Sequence, residues 1–222
     1  MNKELKKRIF TSIILLSLLT AMYFYTFIMI GSIMIIAIII WIEFYALISK
    51  IIKGNRYQDQ FFRYISKSAS LLYLSIFVYF IFIIESVYTN LKIYLLYSVL
   101  VAILSDIGGL VFGKTFKGKK LTKISPNKTI SGSIGSIFLS MVLIPIFYNE
   151  VIIYDLLTLI ILTIVISLIS QIGDLFISLL KRKAKVKDTG NLLPGHGGIL
   201  DRIDGIIVGT PVGILVFYLL AV

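Results

Sequence analysis

A chain of 222 residues that is 58% hydrophobic, with a mean hydropathy of +0.98, carries more apolar surface than a soluble core of that size can bury. That excludes a water-soluble globular domain. Its 22 Lys and Arg against 11 Asp and Glu leave a formal charge of +11, which in a membrane protein reads as topology and contact with anionic lipid, not nucleic acid. The lack of cysteine excludes disulfides and thiolate metal sites.

The expected fold class is an all-α integral membrane protein of about seven transmembrane helices. It forms one polytopic domain over residues 1–222, with N-terminal helices in 1–90 and the catalytic helices and loops in 91–222. Apolar stretches fall at roughly 9–24, 27–49, 68–86, 91–113, 132–148, 153–180 and 203–222, each near the ~20 residues a spanning helix needs. The basic run Met1–Arg8 is arranged like the start of a secretory signal. The apolar run behind it passes almost directly into a second, with no small-x-small cleavage site, so it reads as a retained first span.

Charge fixes the expected orientation. Lys3 to Arg8, Lys50 to Lys67, Lys114 to Lys128 and Lys181 to Arg202 hold all the Lys and Arg except Lys92, and all four groups fall on one side of a seven-span arrangement. Under the positive-inside rule that side, with the N-terminus, is cytoplasmic. The opposite face offers only short turns near Tyr25, Glu85–Lys92 and Asn149–Ile152, so chemistry belongs to the cytoplasmic loops.

In chain order, the first unusual acid is Glu43, beside Trp41 in span two, for which a hydrogen-bonding role in the fold is one reading. Span four ends with Ser105-Asp106 and the pair Gly109 and Gly113, which lets helices approach closely. The loop beyond it mixes Lys114, Lys117, Lys119 and Lys120 with Ser125-Pro126-Asn127-Lys128-Thr129. Ammonium groups, hydroxyls and backbone amides of that kind can surround phosphates. For most of these lysines an ordinary positive-inside loop explains as much; Lys128 is the exception.

Span six carries Gln171, Asp174, Ser178 and Lys181/Arg182 at steps of three and four, stacked on one helix face. A stripe that only glues helices together is the competing reading, but a carboxylate inside the membrane edge suits a cation ligand better. Span seven opens with His196-Gly197-Gly198, then Asp201-Arg202 and Asp204. Its glycines permit positive φ, and a helix start presents free N–H groups that suit phosphate. Asp201 and Asp204 could also be plain helix-start acids. His196 is the only histidine, set between Pro194-Gly195 and two glycines. Carboxylates, lysines and backbone donors gathered at one membrane edge suit Mg²⁺-dependent chemistry between a nucleotide and a phosphorylated lipid.

The run Ser178-x-x-Lys181-Arg182-x4-Lys187-Asp188-x-Gly190-x3-Pro194-x-His196-Gly197-Gly198-x-x-Asp201-Arg202-x-Asp204 resembles, position by position, the signature of the CDP-diacylglycerol synthases, the phosphatidate cytidylyltransferases. Ser105 to Lys128, Gln171-x-Gly173-Asp174 and Trp41-x-Glu43 are similar to further regions of that family. Two features depart from it: Ile130-Ser131 stand where the family usually has Trp-Glu, and the compact chain is short of one or two spans near the front of longer members.

The resemblance implies transfer of the cytidylyl group of CTP to phosphatidate, giving CDP-diacylglycerol and pyrophosphate in phospholipid synthesis, with Mg²⁺ as cofactor. It implies Asp174 and Asp201 as metal ligands, with Asp188 and Asp204 in support. Lys128, Lys181, Arg182, Lys187 and Arg202 would meet phosphates, His196 would orient or donate, and Asp106, Ser125, Gly197 and Gly198 would line the nucleotide site. Residence in the cell inner membrane and association into a homodimer are further expectations. A CTP-dependent polyprenol kinase, a small transporter and an inactive lipid-binding relative are the alternatives. The Asp-Gly-x-x-Ala-Arg signature of CDP-alcohol phosphatidyltransferases is absent.

Overall fold

The computed structural model describes residues 3–122, 125–151, 155–192 and 197–221. The helices are α1 (Lys3–Phe24), α2 (Thr26–Ile51), α3 (Tyr57–Ser86), α4 (Lys92–Phe116), α5 (Ile130–Met141), α6 (Leu143–Phe147), α7 (Leu156–Lys183) and α8 (Leu200–Ala221), with a 3₁₀ turn at Thr89–Leu91 ahead of α4. Among the described residues 6 segments are long and apolar enough to cross a membrane, and the first expected span is a shorter apolar helix, Ile13–Phe24. Large apolar side chains such as Phe27, Ile38, Leu72, Leu110, Phe138 and Leu157 stand exposed, as lipid-facing surfaces require. The protein is an all-α integral membrane protein.

Two helices differ from the hydropathy reading. α3 starts at Tyr57, about three turns ahead of its apolar stretch, so Arg63 and Lys67 ride on the helix instead of in a loop. Lys67 is 7% exposed, and its ammonium sits 3.3 Å from the centroid of the Tyr45 ring. The fifth apolar stretch is broken at Val142 into α5 and α6. Pro145 explains the break, because its ring clashes with the carbonyl of the residue four back, Met141, where α5 ends. Ahead of α7, Asp155 accepts from the Thr158 N–H at 3.0 Å, and the side-chain and backbone hydrogen bonds of Thr158 hold its carboxyl below the usual range.

The chain divides into two compact units, one made of 1–87 with 180–203, the other of 88–179 with 204–222. In the first, α1 packs on α2 and α2 on α3, and Glu43 of α2 reaches the segment after α7 and the start of α8. Thr26 donates to Glu85 at 2.6 Å and the Trp41 indole donates to the Lys67 carbonyl at 3.4 Å, tying α2 to α3.

The second unit has its apolar core at Tyr97, Val101, Leu143, Leu159, Leu162, Ile166 and Phe217. Tyr97 and Thr163, both 0% exposed, share a hydrogen bond of 2.6 Å. Thr163 donates to the Leu159 carbonyl at 2.7 Å, so Thr163→Val strands the buried Tyr97 hydroxyl and is expected to cost ~1 kcal/mol or more, whereas Tyr97→Phe removes one bond and leaves Thr163 satisfied, at a smaller cost. Unfolding in mild detergent should show the double variant costing less than the sum of the two. α4 and α5 meet through glycines: a Cβ on Gly108 would lie 2.5 Å from the Gly135 carbonyl oxygen, so the backbones touch there.

Candidate active site

The first unit builds a loop around two carboxylates. α7 ends in a paired cap, with Val186 N–H donating to Lys181 O at 3.0 Å and Lys185 N–H to Arg182 O at 3.1 Å, while Lys185 takes the left-handed conformation at φ 57°. Glycine is the usual residue there, and a lysine costs roughly 1–2 kcal/mol more. The cap turns the chain back so that Thr189 reaches Asp201 in the first turn of α8. Asp201 Oδ2 accepts from the Thr189 N–H at 2.7 Å, the Thr189 hydroxyl at 2.9 Å and the Gly198 N–H at 3.1 Å. Asp201 Oδ1 holds the Lys181 ammonium at 2.7 Å, with side-chain exposures of 3% for the acid and 17% for the lysine.

Glu43 of α2 completes this loop. It is 6% exposed and accepts from the Thr189 hydroxyl at 2.7 Å, the Ile199 N–H at 3.0 Å and the Leu200 N–H at 2.9 Å. Its carboxylate needs room that only glycine leaves. A Cβ on Gly190 would lie 2.6 Å from Glu43 Oε1, and one on Gly198 would strike both Glu43 and Thr189. Gly197 takes φ 84° and packs on Asp188.

Arg182, Lys187 and Asp188 are exposed around this core, without an ion pair among the described residues. Arg202 is exposed on α8 and has a partner of its own. His196 lies outside the described residues.

The second unit holds a separate acid–lysine pair, Lys128 with Asp174, each about one-quarter exposed. Lys128 is set by a small hairpin: Leu121 N–H donates to Lys128 O at 2.8 Å, Lys128 N–H to Ser125 O at 3.0 Å, and Ile130 N–H to Lys119 O at 3.0 Å. Ser125 therefore forms the turn that presents Lys128. Thr129 caps α5 by accepting from Gly132 N–H at 3.1 Å, and Ser131 donates to the Lys117 carbonyl. Where the resembling family has an acid, this chain uses a hydroxyl to close the hairpin. Ile130 beside it is exposed.

Asp174 Oδ1 also accepts from Ser178 at 3.4 Å. Gln171, one turn earlier, accepts from the Ser133 hydroxyl at 2.5 Å and donates back to its carbonyl at 3.4 Å, so this member of the stripe does fasten α5 to α7. Asp204 is buried at the start of the unit's share of α8, with Oδ1 accepting from Gly205 N–H at 3.0 Å. Asp106 is half-buried on α4 and has a partner.

The sequence-predicted residues are thus brought together in two sets: Lys181, Gly198 and Asp201 in one unit, Lys128 and Asp174 in the other. Thr189 was missed. A neutral hydroxyl between Asp188 and Gly190 carries no charge signal, and only turn chemistry marked the place. Glu43 gains a definite place as the acceptor for the start of α8.

The sequence matches the model of the cytidylyltransferase family over residues 1–220. It is 46% identical over 115 residues to the phosphatidate cytidylyltransferase of Rickettsia felis, covering 48% of this chain and 51% of that protein. It is 44% identical over 121 residues to the phosphatidate cytidylyltransferase of Staphylococcus aureus (strain COL), covering 53% of this chain and 46% of that one. The chain spans about half the length of the curated relatives it matches. Matched by one family model along almost its whole length, the chain belongs to the cytidylyltransferase family.

Proposed function

We propose that this protein transfers the cytidylyl group of CTP to phosphatidate, forming CDP-diacylglycerol and releasing pyrophosphate. The observation that carries the reading is the Lys181–Asp201 pair, held in a loop whose backbone amides and glycines leave little room for anything but these groups. The names of the relatives supply the substrates.

In the reaction a phosphate oxygen of phosphatidate attacks the α-phosphorus of CTP. The new O–P bond forms as the bond from that phosphorus to the bridging oxygen of the β-phosphate breaks, and pyrophosphate carries the electron pair away. No covalent intermediate on the protein is needed, and the phosphatidate oxygen is already largely ionised at neutral pH. The protein's task is positioning and charge neutralisation. Lys181 and Lys128 neutralise phosphates, with Arg182, Lys187 and Arg202 supplying further positive charge.

Mg²⁺ is part of this reading. Among the described residues no group of three or more His, Asp and Glu stands ready as a metal cage. Mg²⁺ often binds through one or two carboxylates and completes its shell with water and substrate phosphates, so the donors present fit it. Asp174 and Asp201 are the acids that would offer it a ligand, each within its own unit: Asp174 pairs with Lys128, and Asp201 Oδ1 is held by Lys181. When bound it supplies charge neutralisation and polarises the phosphoryl oxygens. Each lysine–aspartate pair is neutral as it stands. In each pair the acid would be the group to face the cation and the lysine the group to face a phosphate, so neither charge would be left uncompensated.

The loops lie on the cytoplasmic face of the bacterial inner membrane in this reading, where CTP is available. Anionic lipid gathers at the basic edge, and two copies associate. The test is incubation of detergent-purified protein with α-labelled CTP, phosphatidate and Mg²⁺. Label should enter a CDP-lipid with release of pyrophosphate, and EDTA should abolish it. Label in lipid from γ-labelled but not α-labelled CTP would instead mean a kinase.

A further inference from the structure

α8 begins without a capping residue of its own. Ile199 precedes Leu200 and has no side-chain acceptor, yet the N–H groups of Ile199 and Leu200 are both bonded, to a carboxylate on a different helix. Glu43 could be no more than a substitute cap, but its third bond argues against that. The Thr189 hydroxyl lies 2.7 Å from Glu43 and 2.9 Å from Asp201, and its one proton serves one acid at a time. The Thr189 amide is bonded to the same Asp201 oxygen. Glu43 therefore touches the groups that touch Asp201, and Asp201 in turn holds Lys181. Gly190 and Gly198 are the places where the segment makes room for Glu43.

We propose that Glu43 is the positioning residue of Thr189 and the start of α8: by holding the Thr189 hydroxyl and the first amides of α8 it sets Asp201, and through it Lys181, for the phosphates of the nucleotide. The proposal rests on the cytidylyltransferase reading for the identity of the ligand. Glu43 touches no reacting atom and acts only through its neighbours.

The experiment compares wild type with Glu43→Gln and Thr189→Val in the purified full chain, with two independent readouts. In limited trypsin digestion mapped by mass spectrometry, Glu43→Gln should raise cleavage after Lys185 and Lys187 about tenfold. Cleavage in the Lys117–Lys120 hairpin should stay unchanged, which separates local release from unfolding. In steady-state kinetics, Glu43→Gln should raise KM for CTP about tenfold and leave KM for phosphatidate within twofold.

Thr189→Val, close in shape and uncharged, covers the case in which the Glu43 variant does not fold. It should raise KM for CTP severalfold, and the double variant should be little worse than Glu43→Gln alone. Unchanged trypsin rates, equal shifts in both KM values, or effects that multiply fully in the double variant would each overturn the proposal. If the wild-type protein makes no CDP-lipid, the reading of its function fails. The trypsin comparison still decides whether Glu43 holds the segment.

Discussion

Asp201→Asn should lower turnover about 10²–10³-fold while the protein remains folded. The substitution keeps the size of the side chain and removes its charge. One of its two oxygens becomes an NH₂ that cannot accept, so either the Lys181 bond or the bonds of Thr189 and Gly198 are lost. Charge-assisted hydrogen bonds contribute ~1.5–3 kcal/mol each. Losing the Lys181 bond, with the other three weakened to bonds with a neutral acceptor, amounts to ~3–4 kcal/mol, which is roughly that drop at 1.4 kcal/mol per decade. The released Lys181 ammonium is then largely buried without its partner. Turnover of the purified variant at saturating CTP and phosphatidate decides the matter. A rate within tenfold of wild type would remove the Lys181–Asp201 pair from the machinery.

The largest effect on stability is expected where α4 meets α5. Gly108→Ala puts a methyl group 2.5 Å from the Gly135 carbonyl oxygen and 2.9 Å from the Ser136 Cα, both backbone atoms that cannot swing away. Overpacking of this kind costs ~1–3 kcal/mol and sometimes more, which exceeds the ~1 kcal/mol that alanine gains over glycine inside a helix. Gly31, in α2, is the matched control, because a Cβ there meets nothing within 4 Å. Gly31→Ala should leave stability unchanged or raise it by up to ~1 kcal/mol. Thermal unfolding in detergent should move to lower temperature for Gly108→Ala and not for Gly31→Ala. Equal shifts would mean that α4 and α5 do not touch through these glycines.

Hydropathy made the membrane class and most of the spans legible, because the bilayer demands long apolar runs with satisfied backbones. It could not show that α3 begins at Tyr57. A helix is held by backbone hydrogen bonds, and the polar first turns of α3 have those without being apolar. The break at Val142 was readable in principle from Pro145. In the site, charge and spacing pointed to Lys181, Asp201, Lys128 and Asp174, since acids and lysines beside a membrane are costly and therefore conspicuous. The pairings were less visible. Ser178 and Asp174 are helix neighbours and could be paired by counting, whereas Thr189 and Glu43 are 146 residues apart and nothing local joins them. Gln171, grouped with the metal-side stripe, turned out to fasten α5 to α7.

That long separation has a consequence for biogenesis. Glu43 emerges from the ribosome 156 residues before the amide of Ile199 that it will bind. Until α8 is made, the carboxylate sits in an apolar helix without those amides, and an ionisable group there without its partners is costly. Closing so distant a contact comes late in folding. The loop around Glu43 and Asp201 is therefore completed only after α8 has been made, and a nascent chain that stops short of α8 lacks the amides that hold Glu43 in place.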